Sequence, residues 1–131
     1  MHASITLDSM NNYNITKYKD WSMLILANYF ICEMRCDSDR WLAWLNSNHK
    51  STNLYPNWVW VSKFSANCVI MGDITMDTYD NYASPPIGAL IIKSSELIKL
   101  LEKWKELRSH QAKEIMITKE GNVFEMYEIV T

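Results

Sequence analysis

The clearest pattern of hydrophobic and polar positions lies between residues 95 and 109, where apolar side chains recur every three or four residues. The apolar stripe consists of Leu97, Leu100, Leu101, Trp104 and Leu107. Ser94 or Ser95 can cap the start of a helix here, and basic residues gather near its end, where the helix dipole favours positive charge. The pattern predicts an amphipathic helix over about residues 95–109.

Strand patterns flank this helix on both sides. Apolar and polar residues alternate over residues 114–118 and 123–129 around a Glu-Gly-Asn turn, which predicts a β-hairpin. Residues 87–92 form a short apolar run that predicts a buried strand. Residues 57–71 predict a strand that bends or folds into a hairpin at Asn67.

The first part of the chain is harder to interpret. Residues 1–20 are rich in Asn, Ser and Thr and predict a loosely ordered arm or a short edge element. Residues 21–35 are apolar with many β-formers; periodicity fits a buried strand or an apolar helix, and we favour the strand. An Asp-Ser-Asp cluster can cap a short helix over residues 40–45, whereas the turn-rich residues 72–86 predict a loop.

These elements predict one domain over residues 1–131 in the α/β (α+β) class, with a mixed, mostly antiparallel sheet packed by two helices. The longer helix is the one at about 95–109. Hydrophobic residues make up 48% of the chain and charged residues 21%, a composition that can bury a core and excludes a disordered tail.

Charge and cysteine content narrow the function classes. A net charge of −2 argues against a protein that binds nucleic acid mainly through counterion release. The beginning of the chain lacks the apolar run of a secretory signal, and its longest nearly apolar stretch is too short to span a bilayer. Three cysteines and no signal fit a reducing compartment, so we expect a cytoplasmic protein.

The chain offers little for metal or nucleophilic chemistry. Cys32, Cys36 and Cys68 have no second cysteine pair or paired histidines beside them, so no tetrahedral zinc set is expected. Residues 73–84 space oxygen atoms like a calcium loop but lack its glycine and its final glutamate. Three isolated glycines provide no phosphate-binding loop and no nucleophile elbow. We therefore expect no catalytic residues, no metal and no cofactor.

An acidic loop is the most informative polar feature. Residues 72–92 contain three aspartates and no lysine or arginine, and tyrosines lie among these acids. Tyrosines that anchor and acids that steer a basic partner are typical of an interface. The alternative, which composition favours, is a polar surface loop with its tyrosines packed on the sheet. The candidate partner-binding residues are Asp73, Asp77, Tyr79, Asp80 and Tyr82, with Glu125 and Glu128 on the hairpin as a second candidate face.

The segment LIIKSSELIKLLEKW at residues 90–104, followed by KEIMIT at 113–118, resembles immunity proteins of bacterial contact-dependent growth inhibition (polymorphic toxin) systems. The resemblance implies a non-enzymatic cytoplasmic inhibitor that binds a cognate toxin domain and covers its active site. Such toxins are often nucleases, whose clefts are basic in order to hold phosphates. It implies no direct contact with nucleic acid or membrane.

Two other interpretations remain open. One is a small-ligand or regulatory binding module with an apolar pocket lined by Trp58, Trp60 and Met71, residues that fit a core equally well. The other is an enzyme that uses the acidic loop, with or without a divalent ion. The sequence leaves open the oligomeric state and whether an inhibitor would cover an active site or a neighbouring surface.

Overall fold

The computed structural model describes residues 1–34, 38–47, 60–64, 66–71 and 89–130, and at residues 32–34, 60, 64 and 71 the description covers the backbone alone. The helices are α1 (Trp21–Asn28), α2 (Ser38–Leu45) and α3 (Ser94–Ser109), and a π-helical segment, Tyr29–Met34, follows α1. The strands are β1 (His2–Leu7), β2 (Tyr13–Tyr18), β3 (Trp60–Phe64), β4 (Asn67–Met71), β5 (Leu90–Lys93), β6 (Glu114–Glu120) and β7 (Val123–Glu128).

The strands form two antiparallel sheets. The four-stranded sheet has the order β2-β1-β6-β7, and the three-stranded sheet has the order β3-β4-β5. This arrangement confirms a single α+β domain. The prediction of one mixed sheet packed by two helices needs correction in its details, because the described part of the chain contains two separate sheets and three helices.

The first eighteen residues form a β-hairpin, so the expectation of a loosely ordered arm is wrong. β1 lies inside the four-stranded sheet between β2 and β6, and β2 is the member of this hairpin that lies at an edge of the sheet. Asp8 shapes the turn: its Oδ1 accepts hydrogen bonds from the backbone N–H groups of Met10 at 2.8 Å and Asn12 at 3.0 Å. Asn11 adopts a left-handed φ of 63°, which asparagine tolerates better than most residues.

The strand predicted over residues 21–35 is also wrong, since this segment forms α1 and the π-helical segment. Asp20 caps the helix by accepting a hydrogen bond from the backbone N–H of Ser22 at 2.8 Å. Met23, Leu26 and Ala27 are completely buried against the sheets. Burial of this apolar surface outweighs the weak strand preference of the β-branched residues.

The two predicted helices are confirmed as α2 and α3, and all five residues of the α3 stripe are buried. The predicted serine cap of α3 is wrong. Lys93 occupies the N-cap position and makes no side-chain cap bond. The hydroxyl of Ser94 instead lies 3.4 Å from the Sγ of Cys68.

The predicted hairpin at Asn67 is confirmed by the pairing of β3 with β4, and the strand predicted over 87–92 corresponds to β5. The hairpin predicted after α3 is confirmed by β6 and β7, joined by Gly121 at a φ of 61°. The loop predicted over residues 72–86 lies outside the described residues.

The core between the sheets is rich in aromatic side chains. Trp104 of α3 is fully buried and its ring lies 5.3 Å from that of Tyr13 and 5.5 Å from that of Phe30. Trp41 of α2 packs edge-on against Tyr29 at 5.1 Å. These contacts connect α2, α3 and the end of α1 with the four-stranded sheet. Among the residues described, no helix has the length and apolarity needed to cross a bilayer.

Candidate functional site

The candidate residues of the acidic loop lie outside the described residues; they are Asp73, Asp77, Tyr79, Asp80 and Tyr82. The same holds for Trp58 and for the side chains of Trp60 and Met71, which were expected to line a ligand pocket. The candidate residues that the structure does describe are those of the second candidate face, on β7.

Glu125 and Glu128 do not share a face, which corrects their grouping in the sequence analysis. Side chains alternate along a strand, so positions three apart point to opposite sides of the sheet. Glu128 lies on the inner side with the buried Phe124 and Met126, is half-buried, and its Oε1 is 3.0 Å from His110 Nε2. Glu125 is exposed on the outer face, and within the described part of the chain it has no ion-pair partner.

β7 is an edge strand, and its outward backbone groups can be assigned from the hydrogen-bond alternation of antiparallel strands. The backbone N–H of Ile129 donates to the carbonyl of Glu114 at 2.8 Å. The backbone groups that bond to β6 recur at every second residue, so residues 127, 125 and 123 also form backbone hydrogen bonds with β6. The residues between them direct their N–H and C=O groups away from the sheet; these are Glu128, Met126 and Phe124.

One of these outward groups already has a partner. The backbone N–H of Phe124 donates to Glu96 Oε1 of α3 at 3.0 Å. This hydrogen bond is the main reason that the pKa of Glu96 is held below its usual value, with a smaller contribution from Lys99. No described residue bonds to the N–H or C=O of Met126.

A groove of about 410 Å³ runs between the free edge of β7 and α3. We call it the edge groove; it is lined by Lys99, Leu100, Glu102, Lys103, Glu106, Glu125, Met126 and Tyr127. The unpaired backbone of Met126 therefore opens into a depression with a helix on its other side, instead of onto a flat surface.

The charges of the edge groove are predominantly acidic once internal pairs are considered. Lys99 Nζ lies 3.0 Å from Glu96 Oε2, and Lys103 Nζ lies 3.3 Å from Glu106 Oε2. Glu102 and Glu125 are exposed, and neither has an ion pair with another described residue. The groove thus offers two unneutralised carboxylates, one from the helix and one from the strand.

The outer face of the hairpin adds a second depression of about 400 Å³, lined by Thr118, Glu120, Val123, Glu125 and Tyr127. Tyr127 is 41% exposed and Val123 is 53% exposed. Glu125 belongs to both depressions and so lies at the rim between them. Exposed aromatic and aliphatic side chains beside carboxylates are suited to contact with a protein surface.

Sequence reasoning missed Glu102, Tyr127 and the backbone of Met126. Glu102 lies outside the apolar stripe of α3, so the sequence pattern predicts that it is exposed but does not assign it to a binding site. The free edge depends on strand order, and β7 pairs on one side alone because it is the last strand in the order of the four-stranded sheet.

Across the described ranges, no three residues of the His, Cys, Asp or Glu types come together in a way that could hold a metal ion. Cys68 is buried, and burial raises the pKa of its thiol, which disfavours the reactive thiolate. No protein-family model, curated protein or solved structure matches this chain.

Proposed function

We propose that this chain is an immunity protein that binds a cognate toxin domain in the cytoplasm and neutralises it without catalysing a reaction. The observation that supports the proposal most directly is the edge groove, which joins unpaired backbone groups with two free carboxylates. Both features serve binding to another chain, and neither serves a covalent step.

The proposed partner is basic. Glu102 and Glu125 lie on either side of the groove, and Glu120 adds a third carboxylate on the outer face. A nuclease cleft carries positive charge to hold phosphates, so an acidic surface would accelerate association with it and compete for the same groups. The proposal of a toxin partner rests on the resemblance of residues 90–104 and 113–118 to immunity proteins.

The test begins with capture of a partner from host lysate by the tagged chain at high salt, followed by its identification. The captured domain, expressed alone, should arrest growth, and co-expression with this chain should restore it. In vitro, one equivalent of the chain should abolish the domain's activity on DNA or RNA. A partner that is harmless when expressed alone, or a toxin that remains active in the complex, would contradict the proposal.

Salt dependence separates this proposal from a ligand-binding module. Association between an acidic surface and a basic cleft should slow markedly as ionic strength rises, whereas dissociation of the buried contacts should change little. Stopped-flow mixing at two salt concentrations measures both rates. An association rate that is independent of salt would contradict an electrostatically steered complex.

A further inference from the structure

We propose that the free edge of β7 binds an extended, lysine- or arginine-bearing segment of a protein partner as a fifth strand of the four-stranded sheet. This inference deepens the proposed function and rests on it for the basic character of the partner. The backbone geometry that makes strand addition possible is independent of the partner's identity.

The backbone of β7 sets the register. Met126 directs both its N–H and its C=O away from β6, and no described residue bonds to either group. An incoming strand can exchange hydrogen bonds with Met126 and continue towards Glu128. Glu96 occupies the N–H of Phe124 and so ends the available edge on that side. Unpaired edges of this kind are the template for strand addition.

The groove beside the edge provides the space. With α3 as its far wall, its volume of about 410 Å³ accommodates the side chains of an added strand that point towards the helix. Leu100 and Met126 give this side an apolar floor, while Glu102 lies at the helix rim. The opposite side chains of the added strand would lie on the outer face beside Glu125 and Tyr127.

The carboxylates beside the edge of β7 favour a partner segment with basic side chains. Cross-strand pairs of opposite charge stabilise a sheet, and like charges placed opposite each other destabilise it. Side chains at alternate positions of an added strand share one side, so lysine or arginine at those positions would face either Glu125 on the outer side or Glu102 on the helix side, according to the register. A second copy of β7 would instead bring the same carboxylates together, so self-pairing through this edge is disfavoured.

The test uses short capped peptides as probes of the isotope-labelled full chain. One peptide alternates threonine with lysine, and its control replaces each lysine with glutamate. We expect the lysine peptide to shift the amide resonances of Met126 and Glu128 and to slow hydrogen exchange at Met126 at least about tenfold. The glutamate peptide should do neither. Shifts elsewhere in the chain, or none with the lysine peptide, would overturn the proposal.

A matched pair of variants isolates the backbone contribution. Met126→Pro removes the outward N–H without removing a bond to β6, and an edge strand tolerates proline at such a position. Met126→Ala loses a comparable buried side chain but retains the N–H. We expect the proline variant to lose peptide binding at least about tenfold more than the alanine variant. Equal binding by the two variants would overturn strand addition.

Two further results separate this proposal from the proposed function. Peptide binding without toxin neutralisation would contradict the inhibitor and retain the edge as a strand-binding site. Neutralisation that is unaffected by Met126→Pro would retain the inhibitor and overturn the edge as its contact. Sedimentation of the free chain completes the test: self-association that Met126→Pro abolishes would assign the edge to another copy and overturn the peptide occupant.

Discussion

Glu96 in the first turn of α3 accepts a hydrogen bond from the backbone N–H of Phe124 in β7, at 3.0 Å. The bond connects the helix to β7, an edge strand of the four-stranded sheet, and it is made by the only acidic residue in that helical turn. Replacement by alanine leaves the N–H without this partner and should lower the free energy of unfolding by about 1–2 kcal/mol. Glu96→Gln retains an acceptor oxygen and should lose less. Urea unfolding of both variants measures the difference, and equal losses would contradict a role for the hydrogen bond.

The same contact predicts a pH dependence. Because the hydrogen bond from Phe124 lowers the pKa of Glu96 from an ordinary value of 4.5, the folded state binds the proton less readily than the unfolded state. The stabilisation is therefore complete above that value and is lost as the pH falls through the lower, folded-state pKa. As the pH falls below this ordinary value, the stability of the wild type should therefore decline more steeply than that of Glu96→Gln. If the free energy of unfolding of the two proteins depends on pH in the same way, ionisation of Glu96 does not contribute to stability.

Lys63 should be important for stability through its ammonium group. The residue is only 7% exposed, and its Nζ donates to the carbonyls of Trp44 at 3.0 Å, Leu45 at 3.4 Å and also Ser47, at the end of α2. Lys63→Met retains most of the volume but removes these donors, so we expect a loss of about 2–3 kcal/mol. Thermal unfolding provides the measurement.

The exposed Lys113 offers the matched control for this change. Lys113→Met removes the same charge from the surface and should alter the free energy of unfolding by less than about 0.5 kcal/mol. If the two methionine variants are equally stable, the carbonyl contacts of Lys63 do not stabilise the end of α2.

Because Glu125 and Glu128 lie on opposite sides of β7, their replacement should affect the rate of association with a basic partner differently. Glu125→Gln removes an unpaired carboxylate from the edge groove and should slow association with a basic partner by about three- to tenfold at low salt. Glu128→Gln alters a carboxylate that lies beside His110 on the opposite face, and should leave association nearly unchanged. Biolayer interferometry of the two variants compares the rates. The reverse order would mean that the partner contacts the chain beside Glu128 and His110 instead of beside Glu125.

Repetitive patterns allowed much of the fold to be predicted. The stripe from Leu97 to Leu107 repeats at the helical period, and the alternation in β6 and β7 repeats every second residue, so each pattern identifies its element. Residues 23–30 lack such a pattern because every one of them is buried or half-buried, and a helical segment without an exposed face has no polar stripe. Asp20 was the missed signal, since it begins the helix as its N-cap.

The candidate site was less predictable because it depends on which strands are neighbours. Glu125 was identified by its charge, but its separation from Glu128 follows from the strand period and could have been anticipated at the sequence level. Glu102 and Met126 become part of the same groove only when α3 packs beside β7. That arrangement is a tertiary property that local patterns do not encode.

The position of β1 inside the four-stranded sheet has a consequence for how the chain folds during translation. Ser4 of β1 contacts Met116 of β6 across 112 positions of sequence. A ribosome adding about 5–20 residues per second needs roughly 6–22 s to make the intervening chain. During that interval the β1–β2 hairpin has no second neighbour, so the nascent chain exposes an unpaired strand that is open to chaperones. Closure of the sheet therefore cannot precede the synthesis of β6.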